Sequence, residues 1–319
     1  VALILVTGGC GFIGSHLCAA LAARGDRVRV LDDLSTGSLG NLLPGAEFVR
    51  GDVAEAAIVK QAMDGVDACF HLAAIASVER GVKDWLGTHR ANLTGTITVL
   101  DAARLRKVPV VYASSAAVYG EQAVLPIGED APKRPLSAYG ADKLGCEQHA
   151  LVAGHVHGVP TLGLRFFNVF GPRQDPCSPY SGVISIFCER LARGEAVDVF
   201  GDGAQTRDFV HVADVVKALL AGLQAASTAA PVLNVCTGRP TSVLELARTI
   251  AAACGRPAEI RHRPARAGEI RHSLGDAARA RELLGLGDPV ALRDGLDDVI
   301  GWLRAGRPAL AGLFGRAAE

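Results

Sequence analysis

Thr7-Gly8-Gly9-Cys10-Gly11-Phe12-Ile13-Gly14 stands between a short apolar run, Val1–Val6, and a stretch of helical composition, Ser15–Ala23. The run has strand length and no polar alternation, as in a strand buried on both faces. Gly8 permits a tight turn, Gly11 lets backbone approach a pyrophosphate, and Gly14 lets the helix pack closely on the strand. Phe12 and Ile13 complete the loop, where a diphosphate would meet unpaired N–H groups at a helix N-terminus. The spacing is G-x-x-G-x-x-G, not the G-x-G-x-x-G of the dehydrogenase fingerprint, so its surroundings must carry the reading. They do: a second strand, Arg27–Leu31, ends in Asp32-Asp33. Acidic groups there suit both ribose hydroxyls and repel a 2′-phosphate, which favours NAD over NADP. Asp33 either shares that role or is a solvated turn residue.

Apolar runs then alternate with helical stretches, the pattern of an α/β protein with a doubly wound parallel (Rossmann) sheet. The remaining candidate strands are Phe48–Arg50, Ala68–Leu72, Val110–Ser114 and Leu162–Phe166. Asp52, followed by Val53, is placed past the third strand to meet the adenine amino group. The fourth strand runs into Leu72-Ala73-Ala74, whose alanines allow backbone close to a cofactor. After Phe167 the pattern changes to a turn-rich segment, Gly171–Pro179, and then to mixed elements. Residues 1–167 are therefore expected to form the dinucleotide-binding domain and 168–319 a smaller mixed α/β substrate lobe, the chain being free to recross between them.

Tyr139-Gly140-Ala141-Asp142-Lys143 adds chemistry. Residues four apart on a helix project from one face. A free phenol, with a pKa of about 10, is a poor base at neutral pH, and a fixed ammonium beside it favours the phenolate. Alone the pair is an ordinary surface combination. Beside a dinucleotide loop it is a candidate proton-transfer site.

Composition narrows the function class. The 319 residues carry 33 Lys plus Arg against 33 Asp plus Glu, so net charge is zero and no basic nucleic-acid surface is expected. No apolar stretch reaches membrane-spanning length, and the first six residues read as a strand rather than a signal segment. The eight cysteines include no C-x-x-C pair, in keeping with reduced thiols and a cytoplasmic location. Cys10 stands out, because a helix N-terminus can lower a thiol pKa, although a small spacer is the simpler role. The nine histidines form no metal-ligand set, and no metal is expected.

Several stretches together resemble a known family: Thr7–His16, His71–Ala74, Ser114-Ser-Ala-Ala-Val-Tyr-Gly120, Tyr139–Lys143, Arg165-Phe-Phe-Asn168 and Gly201–His211. The chain is similar over nearly its whole length to the extended short-chain dehydrogenases/reductases, specifically the nucleotide-sugar 4-epimerases. That resemblance implies Ser115, Tyr139 and Lys143 as catalytic residues, with Ser114 and Asn92 near the cofactor. Tyr139 would take the 4-hydroxyl proton while NAD accepts hydride from C4. Lys143 would stabilise the phenolate and bind the nicotinamide ribose. The 4-keto sugar would then turn its other face before hydride returns. It also implies Asn168, Arg207 and Arg266 as phosphate contacts. Sister 4,6-dehydratases carry Asp-Glu where this chain has Ala116-Ala117, and sugar-acid decarboxylases carry a glutamate at the second position, so both activities lose support. A non-catalytic NAD-binding regulator is the alternative of another class, but it has no need of the three catalytic residues together.

The resemblance extends to the substrate. In the related epimerases one pocket position controls room for a 2-acetamido group, tyrosine excluding it and a small residue admitting it. Counting from Arg266 places Ser273 there, a serine that could otherwise cap a helix. Gln174 lies in a loop resembling that of the N-acetylhexosamine-selective group, with Ser77, Gly182 and Val183 lining the same pocket. The expected reaction is interconversion of UDP-GlcNAc and UDP-GalNAc, with the UDP-glucose/UDP-galactose or UDP-uronate pair as alternatives. Family members commonly dimerise through a four-helix interface. Trp85–Arg106 and the helix near Tyr139 are the candidates here, with Ala91, Leu93, Ile97, Leu100 and Leu105 as apolar groups.

Overall fold

A computed structural model describes residues 1–306 other than 77, 176–181, 258 and 266–269. Ser77 and Arg266 lie outside the described residues. Thirteen strands are present among those described: β1 Leu3–Thr7, β2 Arg27–Asp32, β3 Glu47–Arg50, β4 Ala68–His71, β5 Val110–Ser115, β6 Thr161–Phe166, β7 Asn168–Phe170, β8 Val197–Phe200, β9 Thr206–His211, β10 Val232–Val235, β11 Pro240–Ser242, β12 Ile260–Arg263 and β13 His272–Ser273. The helices are α1 Phe12–Ala23, α2 Ala56–Met63, α3 Val78–Lys83, α4 Trp85–His89, α5 Gly95–Arg104, α6 Ala138–His157, α7 Val183–Arg193, α8 Val212–Ala225, α9 Val243–Cys254, α10 Ala278–Leu284 and α11 Leu292–Arg304.

The main sheet is wholly parallel, in the order β10-β6-β5-β4-β1-β2-β3. The chain order reverses between β1 and β4, and a crevice at the carboxyl ends of such strands is where ligands bind. Period-two alternation sorts the strand residues between two cores. Ile4, Val6, Phe70, Val111, Leu162 and Leu164 meet Leu17 and Leu21 of α1 and Val215 and Leu219 of α8. Leu5, Leu31, Cys69 and Val110 meet Val59 of α2, Val99 of α5 and Ala150 of α6. Each fully buried leucine or valine contributes about 1.5–3 kcal/mol.

All six expected strands are present, with ends shifted by one or two residues. Helix α1 starts at Phe12, three residues before the helical composition begins, because Gly11 serves as its N-cap. The chain crosses back after Phe167: α8 covers one face of the main sheet and β10 extends it beside β6. A third core joins α7, α9 and α11 to β8 and Phe209 of β9. Strand β9 carries β7 and β13 as parallel partners and β11 as an antiparallel one.

Candidate active site

Gly8 adopts a φ of +71° directly after β1, and its N–H donates to Leu31 O at 2.8 Å. This turn leads into α1, whose N-cap Gly11 offers no side chain to its first N–H groups. A Cβ on Gly11 would meet only the Gly8 carbonyl oxygen within 4 Å, so the backbone stands open to the cleft. That cleft, of about 510 Å³, is lined by Gly8, Gly11, Phe12, Ile13, Gly14, Asp32, Asp33, Asp52, Val53, Leu72, Ala73 and Ala74. Twelve residues expected around the cofactor are thus brought together. Gln174, expected at the sugar, lines the same cleft.

Asp32 is buried at the end of β2, its carboxylate accepting from Cys10 N and Leu34 N at 2.9 Å each. Burial raises its pKa, and the two backbone donors oppose the rise. Exposed Asp33 accepts from Ser35 N and Oγ. Asp52 accepts from Ala54 N and from Arg90. The Cys10 thiol goes the other way from a reactive one. Burial first, and Asp32 second, push it up to about 12, so it acts as a spacer.

Two expected cofactor contacts have side chains engaged elsewhere. Buried Ser114 donates to Glu147 Oε1 at 2.5 Å. Asn92, in a π-helical turn over Arg90–Thr94, accepts from Ile75 N at 2.8 Å and donates to Ile75 O at 3.2 Å. It therefore shapes the cleft wall through the loop after β4. Sequence reasoning missed the partner network beneath that loop. Thr7 Oγ1 accepts from Leu72 N and Ala73 N and bonds His71 Nδ1 at 2.8 Å. His71 Nε2 meets Thr96 Oγ1 at 3.0 Å, and Thr96 donates to Asn92 O. Burial, with Lys143 nearby, pulls the His71 pKa down to about 3, so the ring is neutral.

Ser115 ends β5 and accepts from Ala117 N at 3.1 Å, capping a 3₁₀ turn over Ala116–Val118. Helix α6 is capped by Ser137, which accepts from Gly140 N. Gly140 is what lets the helix start settle on that turn, since a Cβ there would lie 2.6 Å from Ala117 O. Tyr139 and Lys143 face one way, with the ammonium 5.9 Å from the phenol ring centroid. Lys143 is buried and donates to Ala113 O at 2.8 Å.

Asn168, Arg207 and Ser273 lie on three neighbouring strands. Ser273 pairs in register with Arg207, and Asn168 donates to Asp208 O. Ser273 is a strand residue, so the helix-cap alternative falls away. Gln174 donates from Nε2 to Val169 O at 3.3 Å, which fixes the amide's orientation, and a Cβ on Gly182 would touch it at 3.3 Å. Half-buried Val183 opens α7 and packs on the third core. No metal-holding group of three His, Cys, Asp or Glu occurs among the described residues. None of their helices is long and apolar enough to cross a membrane.

A profile of the NAD dependent epimerase/dehydratase family matches residues 4–236. The chain belongs to this family. It is an enzyme whose cofactor is NAD, and the open Gly11 backbone and acidic end of β2 fit that group. It is 40% identical over 309 residues to the UDP-glucose 4-epimerase of Mycolicibacterium smegmatis, covering 94% of this chain and 98% of that one. Its fold is similar to the crystal structure of Thermotoga maritima UDP-glucose 4-epimerase with UDP-glucose, with a TM-score of 0.92, 35% identity and coverage of 95% and 99%. It is also similar to UDP-N-acetylglucosamine 4-epimerase from Methanobrevibacter ruminantium in complex with UDP-N-acetylmuramic acid, with a TM-score of 0.91, 32% identity and coverage of 96% and 99%.

Proposed function

We propose that this NAD-dependent UDP-sugar 4-epimerase interconverts UDP-GlcNAc and UDP-GalNAc, with Ser115, Tyr139 and Lys143 as its catalytic residues. The observation that carries the substrate choice is at Gln174. Its Oε1 is buried and has no hydrogen-bond partner among the described residues. An unpaired buried acceptor costs about 1–3 kcal/mol, and a 2-acetamido N–H is a donor that a 2-hydroxyl sugar of the glucose series presents differently. Ser273 of β13 pairs with Arg207 of β9, and on this reading its small side chain admits the acetamido group that a tyrosine would exclude.

When bound, NAD supplies an acceptor and donor of hydride at C4. Tyr139 takes the 4-hydroxyl proton and returns it after the sugar has turned. Ser115 orients that hydroxyl, and Lys143, anchored on Ala113 O, holds positive charge beside the phenol. Arg207, Asn168 and Arg266 hold the diphosphate meanwhile. Ala116 and Ala117 leave the 3₁₀ turn without the acid pair that a dehydration across C5 and C6 needs. Interconversion of UDP-glucose and UDP-galactose is the second reading, favoured by the activity named for the M. smegmatis and T. maritima relatives.

Assaying the N-acetylated, unmodified and uronate pairs separates these readings. Substrate deuterated at C4 should give product that keeps the label without added cofactor. Ser273→Tyr should abolish turnover of the N-acetyl pair while sparing any UDP-glucose activity. Unchanged N-acetyl turnover in that variant would place the gate elsewhere.

A further inference from the structure

Helix α6 is fastened to β5 at two points one turn apart. Lys143 Nζ donates to Ala113 O at 2.8 Å, and Ser114 Oγ donates to Glu147 Oε1 at 2.5 Å. Lys143 and Glu147 are an i,i+4 pair, so both attachments lie on the face that also carries Tyr139. Ser114 immediately precedes Ser115. Sliding α6 along β5 would therefore break the Ser114–Glu147 bond and shift Tyr139 relative to Ser115 in one motion.

Glu147 is itself held. Arg165 of β6 grips it with two parallel bonds of 2.8 Å, both side chains only 5% exposed. The same guanidinium donates to Tyr119 OH at 2.7 Å and to Glu129 O at 2.9 Å and lies 4.9 Å from the Tyr119 ring centroid. Tyr119 donates to Asn234 Oδ1 of β10, and Asn234 Nδ2 donates to Ile127 O. Ile127 in turn donates its N–H to Leu274 O, the residue after Ser273. Removing one partner of a buried ion pair is costly, whereas the pair as a whole contributes little net stability. A specificity or positioning role accounts for the arrangement better than stability does.

We infer that Glu147, clamped by Arg165, is a positioning residue that sets the register of α6 on β5 through Ser114 and so fixes Tyr139 against Ser115. The inference rests on the reading of Ser115, Tyr139 and Lys143 as the catalytic residues.

Ser114→Ala deletes the fastening without a charge. Steady-state kinetics, NAD content and thermal unfolding would be measured on this variant and on Ser114→Thr, which keeps the hydroxyl. The expected result is a fall in kcat of about tenfold, since small misplacements of reacting groups cost rate steeply. KM and bound NAD should stay within twofold, and Ser114→Thr should recover most of kcat. The isotope effect on kcat from C4-deuterated substrate should rise as chemistry becomes slower. A folded, NAD-loaded Ser114→Ala enzyme with unchanged kcat and isotope effect would overturn the positioning role, provided Tyr139→Phe is inactive. Should Ser114→Ala fail to fold, Glu147→Gln replaces it, and unchanged kcat in that folded variant would equally overturn the role. A Tyr139→Phe enzyme that keeps its rate would instead overturn the site reading beneath it.

Discussion

A Cβ on Gly14 would clash with the Gly8 carbonyl oxygen and lie 2.8 Å from Gly9 Cα. Both neighbours are backbone, so neither can rotate aside. Gly14→Ala should therefore destabilise the protein by about 1–3 kcal/mol through overpacking and weaken NAD binding as α1 lifts from β1. Thermal unfolding and NAD titration would show both, and a variant with native values would mean the loop relaxes freely. This glycine was legible because its demand is local: a strand, a turn and a helix within a dozen residues. The dinucleotide cleft was legible for the same reason. Ser114 was not, although a signal existed. Adjacent strand residues point to opposite faces, so with Ser115 turned one way the Ser114 side chain turns the other, to Glu147 of α6. Arg165 stood in a recognisable stretch, but its link to Glu147 and, through Tyr119, to Asn234 left no local mark, since these residues lie far apart in sequence and the neighbouring strands β5, β6 and β10 bring them together.

At the level of elements, β9 organises the sugar end through one buried carboxylate. Asp208 accepts from Thr237 N and Thr237 Oγ1 at 2.7 Å, from Gly238 N at 2.9 Å and from Gly275 N at 3.4 Å. It thereby ties the β10–β11 and β13–α10 connections to the strand that carries Arg207. Burial raises its pKa, while the donors oppose the rise. Asp208→Asn would set an amide N–H₂ against backbone donors. Hydrogen bonds to charged groups are worth about 1.5–3 kcal/mol each, so a loss of about 3 kcal/mol in urea unfolding is expected. The kinetic effect should appear as a raised KM for the UDP-sugar with kcat nearly kept. A variant altered in kcat alone would place Asp208 nearer the chemistry. The motif around Asp208 was visible in sequence, but its role was not, because its partners come from two separate connections, β10–β11 and β13–α10. The stretch Trp85–Arg106 shows the same limit: it reads as one helix and divides into α4, a π turn and α5, where Asn92 turns inward to Ile75.

For the whole molecule, two features tie parts together. The first is a set of exposed apolar side chains on α5, at its C-cap and on α6: Ile97, Leu105, Leu151, Val152 and Val156. Leu100, an expected interface group, belongs instead to the core, and Leu93 packs against that core. The remaining exposed groups still predict a homodimer, and light scattering at micromolar concentration should give twice the chain mass; a monomer would refute it. The second feature joins α1 to the segment that leaves the main sheet. His16 Nε2 bonds Pro172 O at 2.9 Å, and Arg173 donates to Ser15 Oγ. Burial, the largest cause, lowers the His16 pKa to about 4, the Pro172 bond opposing it and Arg173 adding to it. The unfolded chain, with an ordinary histidine near 6.5, therefore binds a proton that the folded chain refuses. Stability then rises with pH across this window, is fully present above about 6.5 and is lost as pH falls towards 4. His16→Gln removes the titration and keeps an N–H donor for Pro172. The difference in urea unfolding free energy, wild type minus variant, should shrink steadily from pH 6.5 to pH 4, with bound NAD held constant. Other groups cancel in that difference, including Asp32 and Asp208, whose raised pKa values act in the opposite sense. A difference that stays flat over the window would mean that His16 is hydrated and titrates alike in both states.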